Sequence, residues 1–230
     1  MNRLQEQQHL TKTKTILYLV LDSSGSMYGK PVMQGAMELL EEHKKLAMGH
    51  HDHPDHPDYR LTFITFSDEM TVHMDNVKME NVDLQNFQYS AQGMTDLWNT
   101  VWKVLEMMGE KEEEIIPTRH ILFILTDGEN TVSSPYTPEM ISNKVQRKKE
   151  KGMDINILWI GSNGGQGWGS QIGGSAQATL DFDDDCILEA IRSGSGALHR
   201  FVSGNTQVIE FTDLERDTSL STDSVEYNYI

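Results

Sequence analysis

Thr15–Met27 reads TILYLVLDSSGSM, an apolar run of strand formers that stops at an aspartate and is followed by three serines and a glycine. Ile16 to Leu21 shows no alternation of polar and apolar side chains. That pattern predicts a strand buried on both faces, the centre of a parallel sheet covered by helices. Gly25 permits a tight turn between Ser24 and Ser26. Ligand sites in open α/β sheets gather beyond the carboxyl ends of such strands, where Asp22, Ser24 and Ser26 fall. One carboxylate and two hydroxyls offer only oxygen, the donor set of a hard dication such as Mg²⁺ or Mn²⁺. The other reading of the same residues is a turn followed by helix-capping serines.

Two further stretches join this one. Gly93-Met94-Thr95-Asp96-Leu97 opens an amphipathic helix, and Thr126-Asp127-Gly128-Glu129-Asn130 ends a second unalternating apolar strand, Ile121 to Leu125. Together with Asp22-Ser-Ser-Gly-Ser26 they resemble the three segments of the metal-ion-dependent adhesion site of von Willebrand factor A domains, in the family's order, with the likeness spanning residues 13 to 202. The resemblance implies a doubly wound, Rossmann-like, three-layer α/β fold whose mostly parallel sheet carries one antiparallel edge strand. It also implies that Ser24 and Ser26 present hydroxyls directly to Mg²⁺ or Mn²⁺ and Thr95 a third, directly or through water, while Asp22 and Asp127 usually act through waters or hydrogen bonds, Asp127 binding directly in some states. Neutral hydroxyls nearest the ion quench little of its charge, leaving an open position attractive to an Asp or Glu of a partner protein. Met27, Tyr28, Met94, Glu129 and the 161–174 loop are expected to form the rim that selects this partner. By resemblance the chain is a stand-alone prokaryotic or phage-like member, and such proteins join assemblies built on AAA+ ATPases or kinases.

Composition sets limits of its own. The formal charge of −16 over 230 residues opposes non-specific attachment to nucleic acid or an anionic membrane and favours cationic protein surfaces. A single cysteine, Cys186, excludes an internal disulfide and fits a reducing compartment. No apolar run reaches the ~20 residues of a membrane span, and the polar start MNRLQEQQHLTKTK is unlike a secretion signal. The expectation is a cytoplasmic protein with a polar segment 1–13, one domain over 14–204 and a weakly ordered tail over 205–230.

Along the chain, strands and helices alternate as in βαβ units. Pro31 leads a helix to about Met48; Arg60–Phe66 and Met70–Met74 predict a hairpin; Thr95 opens the next helix. Arg119–Thr126 is a strand, Thr137 and Pro138 start a helix that ends near Gly152, and Asp154–Ile160 and Ala178–Phe182 are further strands. Asp184 or Asp185 is expected to cap a last helix running through Val202.

Three other patterns carry less. The stretch HHDHPDHPD over 50–58 is read as a solvated loop and GSNGGQGWGSQIGG over 161–174 as a flexible rim loop, since it lacks G-x-G-x-x-G. A haloacid-dehalogenase-type Mg²⁺ phosphohydrolase also puts an aspartate after its first strand, but needs a second aspartate where Ser24 stands. A structural protein with a vestigial metal site is the remaining alternative.

Overall fold

Among the residues described by the computed structural model, namely 13–49, 58–84, 87–110, 116–128, 130–162 and 166–220, six strands form one sheet. They are β1 (Lys14–Asp22), β2 (Asp58–Phe66), β3 (Met70–Lys78), β4 (Thr118–Thr126), β5 (Asp154–Ser162) and β6 (Thr179–Phe182), lying in the order β3-β2-β1-β4-β5-β6. All neighbours are parallel except β2 and β3, so the single antiparallel edge strand is where the hairpin reading put it.

The unbroken apolar run of β1 serves two cores at once. Leu17, Leu19 and Leu21 pack with residues of α1 (Val32–Gly49) and of a later helix, including Leu39, Ile191 and Leu198. Ile16, Tyr18 and Val20 face the opposite layer with Val101 and Val104 of α2 (Leu97–Met107) and Ile141 of α3 (Pro138–Glu150). Alternate side chains on a strand point to opposite faces, so a strand covered on both sides has no polar position left. The short α4 (Gln166–Gln171) joins the second layer, α5 (Ile187–Val202) lies beside α1, and α6 (Asp213–Leu220) packs on α5 and β6. No described helix is long and apolar enough to cross a membrane.

Close approach in the α1/α5 layer depends on absent side chains. A Cβ on Gly35 would stand 2.6 Å from Ile191 Cδ1, and one on Gly194 would stand 2.6 Å from Ile160 Cδ1 and 2.9 Å from the Phe123 ring. At α3 the sequence signals act as expected: the Thr137 hydroxyl accepts from Met140 N–H at 3.2 Å with Pro138 in the first turn, and Gly152 follows with φ 91°.

Several expectations change. The edge strand runs on to Lys78, with register shifts against β2 near Phe63 and Asn76 at φ 54°. Helix α2 starts at Leu97, leaving Thr95 in the preceding loop. The glycine-rich stretch is only partly a loop: β5 extends through Ser162, and α4 is drawn onto the sheet where a Cβ on Gly169 would press on Trp159 and Thr179. Asp184 and Asp185 do not cap α5; they lie in a 3₁₀ turn before it, and Cys186 takes the capping position. The segment 205–220 is built onto the domain, with Ile209 and Phe211 buried and Arg200 paired to Glu215 at 2.8 Å. Apolar residues spaced so far apart gave no periodic signal. The histidine-rich loop lies almost wholly outside the described residues, and Glu129, most of the Glu110–Glu114 run and the last ten residues of the chain lie outside them as well.

Candidate metal centre

Strands β1 and β4 are neighbours at the point where strand order reverses, since the chain proceeds from β1 outward on one side and from β4 outward on the other. Loops leaving two strands at such a point diverge and leave a crevice at their carboxyl ends. Asp22 and Asp127 stand at these two ends.

Asp22 is fully buried and spends both oxygens on local structure. Its Oδ1 accepts the Ser24 backbone N–H at 2.7 Å, and its Oδ2 accepts the Thr126 hydroxyl at 2.6 Å. The Tyr89 hydroxyl donates to the Asp22 backbone carbonyl. These contacts fix the turn that carries the serines. The Ser24 and Ser26 hydroxyl oxygens are 3.1 Å apart, and Ser26 donates to Asp127 Oδ1 at 2.7 Å. Asp127 is in turn held through its backbone carbonyl, which accepts the Ser162 hydroxyl at 2.5 Å. Its second oxygen, Oδ2, accepts from the Lys30 ammonium at 2.5 Å, and that ammonium also donates to Asp184 Oδ1 at 2.8 Å.

Thr95 reaches the site by a different route. Its N–H donates to Thr131 Oγ1 at 2.8 Å and its carbonyl accepts from Thr131 N–H at 3.0 Å, which leaves the buried Thr95 hydroxyl beside Gly128, 4.0 Å from where a Cβ would be. The Thr95 loop is stitched to the serine loop by Gly25 N–H to Gly93 carbonyl, 3.0 Å, and Gln92 N–H to Ser23 carbonyl, 2.9 Å. Asp68, outside the motif, anchors it through Met94 N–H at 3.0 Å. Gly93 adopts φ 81°, and a Cβ there would fall 2.2 Å from Asp68 Oδ2. The structure thus brings Ser24, Ser26 and Asp127 into one hydrogen-bonded chain, with Asp22 supporting it from beneath; among the described residues Thr95 is tied in by backbone and not by a bond from its hydroxyl. Of the expected rim, Tyr28 and Met94 are exposed, whereas Met27 is fully buried and belongs to the core.

These donors fit a hard dication. Two oxygens bound at right angles to one Mg²⁺ at about 2.1 Å stand ~3.0 Å from each other, close to the 3.1 Å between the two serine hydroxyls. Among the described residues no three His, Cys, Asp or Glu side chains converge, so the donor set is hydroxyl-rich and offers softer metals no nitrogen or sulfur.

Burial pushes the Asp22 carboxyl up to about 6 from 3.8, against the lowering effect of the Thr126 and Ser24 hydrogen bonds. The folded protein then holds this proton more tightly than the unfolded chain. The contribution of Asp22 to stability is therefore full below the unfolded value and is lost as pH rises through about 6, by roughly 3 kcal/mol. Urea unfolding in EDTA between pH 4.5 and 7.5 is expected to show the parent losing stability relative to Asp22→Asn as pH rises. A difference that stays flat across that range would show Asp22 to be ionised throughout. At Lys30 burial opposes the charge, but the bonds to Asp127 and Asp184 outweigh it and hold the amine above its ordinary value.

The family model described as von Willebrand factor type A domain matches residues 17–206. The chain belongs to the von Willebrand factor type A family. Among solved structures, its fold is similar to proximal thread matrix protein 1 of the mussel byssus, with 16% identity over 80% of this chain and a TM-score of 0.54. It is similar as well to the same mussel protein with a zinc-occupied MIDAS motif, again at 16% identity over 80% of this chain, with a TM-score of 0.52. The chain covers 47% and 46% of those two chains, about half their length. No curated protein matches it. In this von Willebrand A domain the motif residues are legible in the sequence, but Lys30, Asp184, Tyr89, Thr131 and Ser162 are not. They lie up to 154 positions from their partners, and nothing in their local pattern marks them.

Proposed function

We propose that the domain is a metal-dependent binding module with no catalytic step, using Ser24, Ser26, Thr95, Asp22 and Asp127 to hold Mg²⁺ or Mn²⁺ and so to capture an Asp or Glu side chain of a partner protein. The observation that carries this reading is the Ser24–Ser26–Asp127 chain, with its serine hydroxyls at the separation expected of neighbouring ligands on one ion. A dication held there supplies an electrophilic position for an incoming carboxylate. The chain's own residues do the rest: Asp22 shapes the turn, Asp68 and Gly93 position the Thr95 loop, and the exposed Tyr28 and Met94 offer apolar contact around the opening. The zinc-occupied motif of the mussel protein supports the class of site and leaves the choice of ion here to measurement. We place the protein in the cytoplasm, as a stand-alone prokaryotic or phage-like member serving an AAA+ ATPase or kinase-linked assembly. Its lone, buried cysteine is consistent with that compartment.

The test uses immobilised neutral peptides carrying one Glu, with Gln-bearing copies as controls. Retention in Mg²⁺ or Mn²⁺, lost on EDTA and absent with Gln, is the expected result; retention indifferent to EDTA overturns it. One observation favours a second reading, the vestigial site: the Lys30 ammonium already balances Asp127. A calorimetric titration with both dications that gives no heat at any pH from 6 to 8 would select it.

A further inference from the structure

Lys30 lies four residues beyond Ser26, in the turn entering α1, and bridges two carboxylates brought from distant parts of the chain. The bridge is asymmetric. The Asp127 side chain is 2% exposed and that of Lys30 15%, whereas Asp184 is 63% exposed. Asp184 also sits between Asp183 and Asp185, both exposed, so the outer end of the bridge is acidic and wet. Since Asp127 Oδ1 takes the Ser26 hydroxyl and Oδ2 the ammonium, the carboxylate assigned to the metal is already matched by a cation belonging to the same chain.

We propose that Lys30 is a tethered counter-cation that competes with the dication for Asp127, and that Asp184 is the seat its ammonium keeps when the dication takes Asp127. The inference rests on the reading that this site binds a dication. A double charge and an ammonium cannot both crowd one buried carboxylate without strong repulsion. A four-carbon stem lets the amine pivot while its contact at Asp184 persists in a solvated setting. The exchange gives the site a loading threshold: it fills only where dication is plentiful enough to displace the ammonium. Once filled, it retains a positive group near the opening, which adds attraction for an entering carboxylate.

The experiment is calorimetric titration of Mg²⁺ and Mn²⁺ into the full chain and into Lys30→Met, Lys30→Gln, Asp184→Asn and the Lys30→Met/Asp184→Asn pair. Lys30→Met is expected to bind roughly tenfold more tightly, the scale of one charge-assisted hydrogen bond in a partly buried site. Lys30→Gln, which keeps a donor but not the charge, should tighten binding similarly. Asp184→Asn should weaken binding by about threefold, because the ammonium loses its alternative, and the double variant should match Lys30→Met. Unchanged or weaker binding in both Lys30 variants overturns the proposal, as does an Asp184→Asn effect that persists without Lys30. If neither parent nor Lys30 variants take up either ion, it is the metal reading itself that falls.

Discussion

Converting Ser24 and Ser26 together to alanine is expected to abolish the thermal stabilisation that Mg²⁺ or Mn²⁺ should confer on the parent if the proposed site holds the ion. Ligands that bind only the folded state stabilise it by mass action, ~2.7 kcal/mol at a hundred times the dissociation constant. For a chain of this size that corresponds to a rise of roughly 5–10 °C in Tm. Both hydroxyls sit on a turn whose shape is set by backbone N–H donors, Ser24 N–H to Asp22 Oδ1 and Gly25 N–H to the Gly93 carbonyl, which alanine preserves. The double variant should therefore melt within a few degrees of the parent in EDTA. Loss of supporting groups around a metal typically costs 10–100-fold in affinity, so loss of two direct ligands should cost on the order of a hundredfold or more. Differential scanning fluorimetry with and without each ion measures this. A variant that still gains the parent's full rise would remove the serines from the site.

Gly194→Val is the second large effect, and it acts on the scaffold. Gly194 lies in the middle of α5 with its Cα against the sheet, where a Cβ would already overlap Ile160 Cδ1 at 2.6 Å and the Phe123 ring at 2.9 Å. Both of those side chains are fully buried in the core, where packing is close and a displaced side chain costs energy. A glycine inside a helix costs ~1 kcal/mol relative to alanine, so its presence here marks a contact worth more than that. Valine adds three carbons at this point and should lower unfolding stability by about 3 kcal/mol, at the upper end of overpacking. The urea midpoint reports the loss. Gly204→Val is the wrong control because of its positive φ, so Gly49→Ala, with open space around its Cβ, serves to show the effect is local. Equal stability of Gly194→Val and parent would mean that α5 can lift off the sheet without cost.

The fold was legible because its central strands are covered on both faces, and a run such as Ile16–Leu21 suits little besides a strand in the middle of a parallel sheet. Capping chemistry at Thr137 was equally plain. The small side chains of α5 were silent: Ser193-Gly-Ser-Gly-Ala197 has no apolar stripe, yet at Gly194 it lets the helix press closely on the sheet. Asp22, Ser24, Ser26, Thr95 and Asp127, the residues proposed to hold the ion, come from three short segments, and the structure joins Ser24, Ser26 and Asp127 by hydrogen bonds. Met27 was misplaced on the rim because a residue beside a polar loop gives no hint of which way it turns. Lys30 and Asp184 were missed for a different reason. A bridge between residues 154 positions apart depends on how β6 and α5 return toward β1, which no local pattern encodes.

The irregular hairpin at the far side of the sheet has a bearing on solution behaviour. A straight, unpaired ladder of amide and carbonyl groups invites a neighbouring molecule to continue the sheet. Here the two slips beside Phe63, the left-handed turn of Asn76 and the exposed Asp75 and Lys78 warp and charge that border. The outermost strand is thereby a poor template for a neighbouring sheet to extend.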